Sequence, residues 1–377
     1  MQVVPVGTAA QRRAFHRLVP PLYRADPNFV PPLLLERQMH FSAKHNPFYQ
    51  HSDVALWLAY REGRAVGRIS AQIDRLHLER YQDATGHFGF IEAVDDAEVF
   101  AALLHQAEDW LRGRGMTRAV GPVSFSMWDQ PGLLVEGFDT PPSVLMGHAL
   151  PYFQDHIAAA GYAALQDLLA YDYDYPPLPP LAERTIARVM RGGGITIRRI
   201  RKDRRHFADE VALLVDILND GWSENWGFVP MTPAEGAEMG ALLRLLVPGD
   251  NGAVAEHKGK AVAFALVLPN INEAIRDLGG RLAPLGWLKL IWRLKVRGLR
   301  SGRMVAMGVR REVAASPLGA GVALAVIAAT RAASYAHGTR YGELSWVLAS
   351  NMRARHIIEM VGARVYKRYR IYEKLIL

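Results

Sequence analysis

The sequence predicts a mixed α/β (α+β) protein built as two tandem copies of one domain, each a twisted mixed sheet flanked by helices. Three observations predict it. The order of apolar segments in the first half recurs in the second. A proline-rich break, Tyr171-Asp-Tyr-Asp-Tyr-Pro-Pro-Leu-Pro-Pro180, separates the halves. The length of 377 residues suits two domains at roughly 100–200 residues each.

In the first half, apolar runs at 54–60 and 65–73 flank Arg61-Glu-Gly-Arg64, the signature of a hairpin. A strand at 88–94 follows, then a helix at 97–114 that stops at Gly115. Next come a strand at 118–123, a helix running into Gly161-Tyr162, and a closing strand at 168–175. The second half repeats the order. Runs at 253–257 and 261–268 flank Lys258-Gly-Lys260. A strand at 304–310 leads to a helix at 321–337 ending at Gly338. A strand at 341–347, a helix into Gly362-Ala363 and a strand at 365–373 complete the copy. Two insertions distinguish the halves, 124–147 in the first and 272–303 in the second. The expected organisation is a domain at 1–175, a linker at 176–194 and a domain at 195–377.

Composition narrows the function. Half the residues are apolar and 22% are charged, which suits a folded core rather than disorder. With no cysteine, disulfides, thiolate metal sites and cysteine nucleophiles are excluded, which is compatible with a reducing compartment. Met1-Gln-Val-Val-Pro5 lacks the basic and apolar regions of a signal peptide. The uncharged run 313–330 begins with Ser316, Pro317, Gly319 and Gly321, so it reads as a loop plus a buried helix rather than a membrane span. The thirteen histidines include no helical His-x-x-x-His pair with an acid between them, and no metal site is expected.

The net charge of +8 is local, because 278–311 holds nine basic residues and no acid. Taken as a helix, 285–300 places Lys289, Arg293, Arg297 and Arg300 on one stripe. Trp287, Ile291, Trp292 and several leucines cover the rest. This pattern suits a helix lying on an anionic membrane surface or covering a greasy substrate tunnel; a core helix with a solvated stripe is the alternative. Interleaved bulky aliphatics argue against nucleic acid.

The stretch 309–322 carries the chemistry. A strand ends at Val309, a small-residue loop follows and a helix begins. Amides at a helix start favour anions, and glycines allow close approach. Gly319, Ala320 and Gly321, with Arg310 and Arg311 beside them, therefore suit a pyrophosphate. The matching loop of the first half, 92–98, has no glycine and four carboxylates, which repel a phosphate. The first half is expected to be a degenerate copy that shapes the substrate site.

The element order and Ser316-x-x-Gly319-x-Gly321 resemble the GNAT N-acyltransferases. That family opens the motif with Gln or Arg, where this chain has Ser316. Asn351, at a helix start eight residues after Glu343, matches the asparagine the family places near the pantetheine arm. The closing 362–373 segment resembles its terminal strand. Over the full length, Asp26-Pro-Asn-Phe-Val-Pro-Pro-Leu33, Asn46-Pro-Phe-Tyr-Gln-His51, Gly132-Leu-Leu-Val-Glu-Gly-Phe-Asp139 and Trp226-Gly-Phe-Val-Pro230 resemble one group of bacterial tandem-GNAT proteins that includes the ceramide synthases.

The resemblance implies transfer of a long acyl chain from acyl-CoA to the amine of a sphingoid base, sphinganine or its 3-keto form. It implies an oxyanion donor at the Val309 backbone and a base, for which Glu343 is the first candidate. His148, Asp129 and Glu92 are alternatives from the first half. The family's usual helix tyrosine is missing from 351–360, so Tyr366, with Tyr369 and Tyr372 near it, would supply the thiolate proton. Trp222 and Trp226, in the turn-rich 219–230 segment, and Asp129 are expected on the acceptor side. Two other readings stay open: an acetyl-CoA-dependent acetyltransferase of a small amine or protein, and a non-catalytic acyl-CoA- or lipid-binding protein. The expected location is cytoplasmic, with the alternative of peripheral contact on the inner face of the cytoplasmic membrane.

Overall fold

Each half opens its sheet with the same hairpin turn. In one, Glu62 and Gly63 both have positive φ between paired Arg61 and Arg64. In the other, Lys258 and Gly259 do so between His257 and Lys260. Two consecutive left-handed residues make the type I′ turn whose twist matches the strands it joins. The computed structural model describes residues 1–192, 194–246 and 251–377. Position 193 of the expected linker lies outside the described residues. The chain divides into two units that interleave along the sequence. One comprises Met1–Leu168, Ile275–Gly286 and Lys367–Leu377, the other Leu169–Ala274 and Trp287–Tyr366. The units therefore do not follow the linear halves 1–175 and 195–377, because the closing strand of each half is divided between them.

In the first unit, β1 (Gln2–Pro5), β2 (Ser52–Arg61), β3 (Arg64–Asp74), β4 (Thr85–Ala93) and β5 (Arg118–Gly121) lie in that order. The chain's last eleven residues add a strand against β5, with Tyr372 opposite Gly121. The crossover from β4 to β5 is the Ala97–Arg112 helix, capped by the Asp96 side chain. β4 and β5 run parallel and pair only from Thr85 to His87. The space beyond is filled by the chain itself. β6 (Val123–Ser124) packs there, joined to β7 (Gln130–Pro131), with β8 (Leu133–Glu136) following. A Cβ at Gly89 would collide with the Val123 carbonyl. Ser124 Oγ accepts the Phe90 amide at 3.2 Å, and Phe125 stacks among Phe41, Phe48 and Phe90.

The carboxylates of the first unit's loop are also occupied. Asp96 caps its helix and pairs with Arg61 at 2.6 Å. Glu98 shares the same arginine, and Asp95 meets His156 at 2.7 Å. Glu92 accepts the Tyr23 hydroxyl at 2.6 Å and lies 3.9 Å from Arg68. Burial lifts the Glu92 carboxyl to about 7, against the partial compensation of Arg68 and Tyr23.

The second unit holds the 169–173 part of β9 (Ala163–Tyr173), then β10 (Ile195–Arg199), β11 (Gly252–His257), β12 (Lys260–Pro269), β13 (Ser301–Val309) and β14 (Tyr341–Leu348). Their spatial order is β9-β14-β13-β12-β11-β10. β13 and β14 are parallel, joined by the Gly319–Ala336 helix. That helix is long and apolar enough to cross a membrane, yet it buries Val322, Leu324, Val326 and Ile327 in the unit's core. Its glycine-stopped end, with Gly338 at positive φ, is where the sequence predicts it.

Two expectations are corrected here. The 176–194 segment is not a simple linker: Pro180–Gly192 is a helix that buries Ala182 and Val189. Proline at its first position has no amide to satisfy, so the proline-rich break doubles as a helix start. The 285–300 segment is not one regular helix either. Gly286–Trp292 is α-helical, and Arg293–Arg297 continues in wider π turns. Arg293, at the junction, is half-buried and donates to the Ala274 carbonyl at 2.6 Å, and the wider turns after it depart from the 100° spacing that the stripe assumes. The insertion is also divided, with 275–286 in the first unit and 287–303 in the second.

Gly321 seats the Gly319–Ala336 helix against Pro180–Gly192, since a Cβ there would collide with the Val189 side chain. Gly321→Val is expected to lose about 1–3 kcal/mol in chemical denaturation, and Val189→Ala in the same chain should restore most of it. Glu92 supplies a pH dependence. Burial holds its folded pKa at about 7, above the 4.5 of an exposed glutamate. The group's contribution to stability is therefore fully present below pH ~4.5 and is lost as pH rises through ~7. Melting curves should show Glu92→Gln flattening this decline, at up to about 1.4 kcal/mol per pH unit.

Candidate active site

β13 and β14 pair only from Ser301–Tyr341 to Met304–Leu344. β13 runs on to Val309 and β14 to Leu348 without pairing each other, and a wedge opens between them. Arg310 donates its amide to the Val262 carbonyl of β12 at 2.8 Å. Residues alternate along a strand, so the Met307 and Val309 amides face the other way, into the wedge. Here a cavity of about 580 Å³ is lined by both strands, the loop at Ser316, the start of the Gly319–Ala336 helix and the Met352–Met360 helix.

The wedge is held open from the Phe207–Trp222 helix. Gly221 brings that helix against the strand end: a Cβ would lie 2.7 Å from the Val309 carbonyl oxygen and 3.2 Å from its nitrogen. The next residue, Trp222, donates its indole N–H to the Met307 carbonyl at 2.8 Å and packs edge-on against Trp346 of β14. One tryptophan thus satisfies a backbone group that an unsplit sheet would pair. Asn351 caps the last helix by accepting the Ala354 amide at 3.0 Å. Its side-chain amide donates to Asn225 at 3.3 Å, on the cavity wall.

The loop after β13 leads into a helix start whose amides can receive an anion. Val322 makes the first bond of the following helix, to the Leu318 carbonyl, which leaves the first-turn amides of Ala320 and Gly321 without helical acceptors. Gly319 is fixed by close packing, with a Cβ falling 2.6 Å from the Ala314 carbonyl oxygen. These donors fit the pyrophosphate of a CoA-type substrate. The two arginines are less direct. Arg310 pairs with Asp216 at 2.6 Å and Arg311 with Asp220 at 3.2 Å and Glu224 at 3.4 Å. All three acids lie on or just beyond the Phe207–Trp222 helix, where the sequence shows no sign that they meet the loop.

Glu343 is buried, 4% exposed. Its carboxylate accepts the hydroxyls of Ser345 and Tyr366 and lies 3.5 Å from Arg303. Arg303 in turn donates to Ser345 Oγ at 2.7 Å. Ser345 lines the cavity, so it connects Glu343 to that space. The Tyr366 hydroxyl is directed at Glu343.

The structure thus brings Val309, Gly319, Ala320, Asn351 and Trp222 around one cavity. Trp226 is half-buried outside its lining, and Gly321 contributes an amide and a packing contact. Asp129 and His148 belong to the first unit. There Asp129 meets His40 at 2.8 Å, and His148 meets Asp26 at 2.6 Å with its pKa lowered by burial. Residues 285–300 are not among the cavity's lining, so the tunnel-cover reading of that segment does not hold for this cavity. Gly221, Arg303 and Ser345 are the participants that sequence reasoning misses. No motif marks them, and only the Gly-Trp pair beside a predicted acceptor loop hints at one. Among the described residues no cluster suited to a metal ion occurs.

Gly221→Val should press the helix off Val309 and lower CoA affinity roughly tenfold or more in calorimetry. Unchanged affinity would place the CoA site elsewhere.

No family profile matches the chain. Two curated relatives align along nearly all of it. Protein YghO of Escherichia coli K12 is 46% identical over 97% of this chain and 93% of its own length. The bacterial ceramide synthase of Caulobacter vibrioides is 44% identical over 99% of this chain and 97% of its own. Among solved structures, a tandem GNAT protein from the clavulanic acid biosynthesis pathway matches with TM-score 0.58 at 13% identity, covering 100% of this chain and 98% of that one. A GCN5-related N-acetyltransferase from Sphaerobacter thermophilus matches with TM-score 0.52 at 14% identity, covering 99% and 96%. The splayed parallel strands, the small-residue loop and the full-length relatives agree: the chain belongs to the bacterial ceramide synthase family of tandem GNAT proteins and is an acyl-CoA-dependent N-acyltransferase.

Proposed function

We propose that this protein transfers a long fatty acyl group from acyl-CoA to the amine of a sphingoid base, sphinganine or 3-ketosphinganine, forming a ceramide-type amide. The observation that carries the reading is the open, mostly apolar wedge at β13 and β14 in a chain that shares 44% identity with a ceramide synthase end to end. Met304, Ile327, Leu344, Ile357 and Met360 contribute to its lining. They suit a hydrocarbon better than a polar acceptor.

The reaction forms an N–C bond and breaks the thioester C–S bond, releasing a proton and the CoA thiolate. Ala320 and Gly321 amides hold the pyrophosphate. The Met307 and Val309 amides face the thioester and stabilise the oxyanion that develops on its carbonyl. Glu343 receives the amine proton by way of the Ser345 hydroxyl, with Arg303 and Tyr366 fixing the carboxylate. Tyr366 returns a proton to the thiolate by way of Glu343. The first unit does not bind CoA, because its strand wedge is filled by Val123–Ser124. We assign the protein to the cytoplasm.

Purified full-length protein should form amide from palmitoyl-CoA and sphinganine or 3-ketosphinganine, read by mass spectrometry. Amide from acetyl-CoA and small amines alone would favour a short-chain acetyltransferase. CoA binding without turnover of any amine would favour a non-catalytic protein. Glu343→Gln is expected to lower kcat roughly 100-fold or more with little change in KM. Ser345→Ala should reproduce much of that loss. Full activity in both variants would remove Glu343 from the proton path.

A further inference from the structure

The segment following Gly286 is an unusual surface. Among the described residues, the Gly286–Trp292 helix has none that is buried. Only Gly286, Leu290, Arg293 and Leu294 are partly covered, spaced as an inner stripe. The outer side carries Trp287, Leu288, Ile291, Trp292 and Val296, with Trp292 53% and Val296 71% exposed. A patch of this bulk is not ordinary monomer surface. Lys289, Lys295 and Arg297 are exposed among these apolar groups, and 278–311 contains no acid.

We propose that residues 287–297 dock this protein onto an anionic lipid bilayer, with the two tryptophans and their aliphatic neighbours in the headgroup and acyl boundary and Lys289, Lys295 and Arg297 against lipid phosphates. Two properties on the page select this occupant. Apolar and basic side chains share the same outer face, as an interfacial helix requires and a protein groove does not. A second copy in a two-fold contact would bring two basic, acid-free patches together, which repel. The surface lies outside the cavity lining, so docking needs no ligand in the active site.

The test is flotation of full-length protein with vesicles, without acyl-CoA or acceptor. Phosphatidylcholine vesicles containing about one-third phosphatidylglycerol should carry the protein at least tenfold better than phosphatidylcholine alone. About 0.5 M NaCl should remove most of that preference, since it shortens screening lengths to a few ångströms. Trp287→Ser with Trp292→Ser, and separately Lys289→Glu with Lys295→Glu, should each lower binding tenfold or more. Tryptophan emission should shift to the blue on binding in the wild type and less in the serine variant. Equal binding to both vesicle types, or binding unchanged in both variants, would overturn the proposal. So would concentration-dependent dimers that dissolve in the serine variant while vesicles are ignored. Palmitoyl transfer to a soluble amine should continue in both variants, so failure here is separable from failure of the acyltransfer reading.

Discussion

Two parallel strands that stop pairing halfway along their length determine most of what the second unit does. Sheet formation normally satisfies every interior amide and carbonyl. Past Met304 and Leu344 this one leaves β13 groups facing open space. The surroundings are arranged to keep that opening from closing. Gly221 sets a helix against the outer end of β13, Trp222 caps the Met307 carbonyl, and the following loop delivers a helix start to the same place. Among the groups facing the opening are the Met307 and Val309 amides, donors of the kind that a thioester carbonyl and a pyrophosphate require.

The first unit shows what happens when that opening is not kept. Its β4 and β5 also part after three paired residues. The intervening space holds Val123 and Ser124, whose backbone and hydroxyl occupy the sites a ligand would need. The carboxylates of its loop are taken up as a helix cap and as partners of Arg61, His156 and Tyr23. Duplication thus leaves one copy with an open wedge and the other with a filled one. The insertion that lengthens the first half, 124–147, begins within the plug.

Element order was legible because it is written locally. Hairpin turns, helix-stopping glycines and the small-residue loop each announce themselves within a few positions. Val309, Gly319, Ala320, Asn351 and Trp222, which line one cavity, are legible as candidates for the same reason, since each sits at an element boundary. What was not legible depends on partners distant in sequence. Arg310 and Arg311 read as phosphate ligands until Asp216, Asp220 and Glu224 are seen beside them, some ninety residues earlier. Gly321 reads as part of an anion motif, but its missing side chain makes room for Val189. Gly221 and Ser345 carry no motif. The division of both closing strands between the units is equally invisible, because a strand's sequence does not say which sheet it joins.

The central claim is that the protein has one acyl-CoA site, in the wedge of the second unit. Amide hydrogen exchange with and without CoA tests it most directly. The account predicts slower exchange at Met307, Val309, Ala320 and Gly321 and no change across 89–92. Protection across 89–92, with exchange at Met307 and Ala320 unaltered, would contradict it.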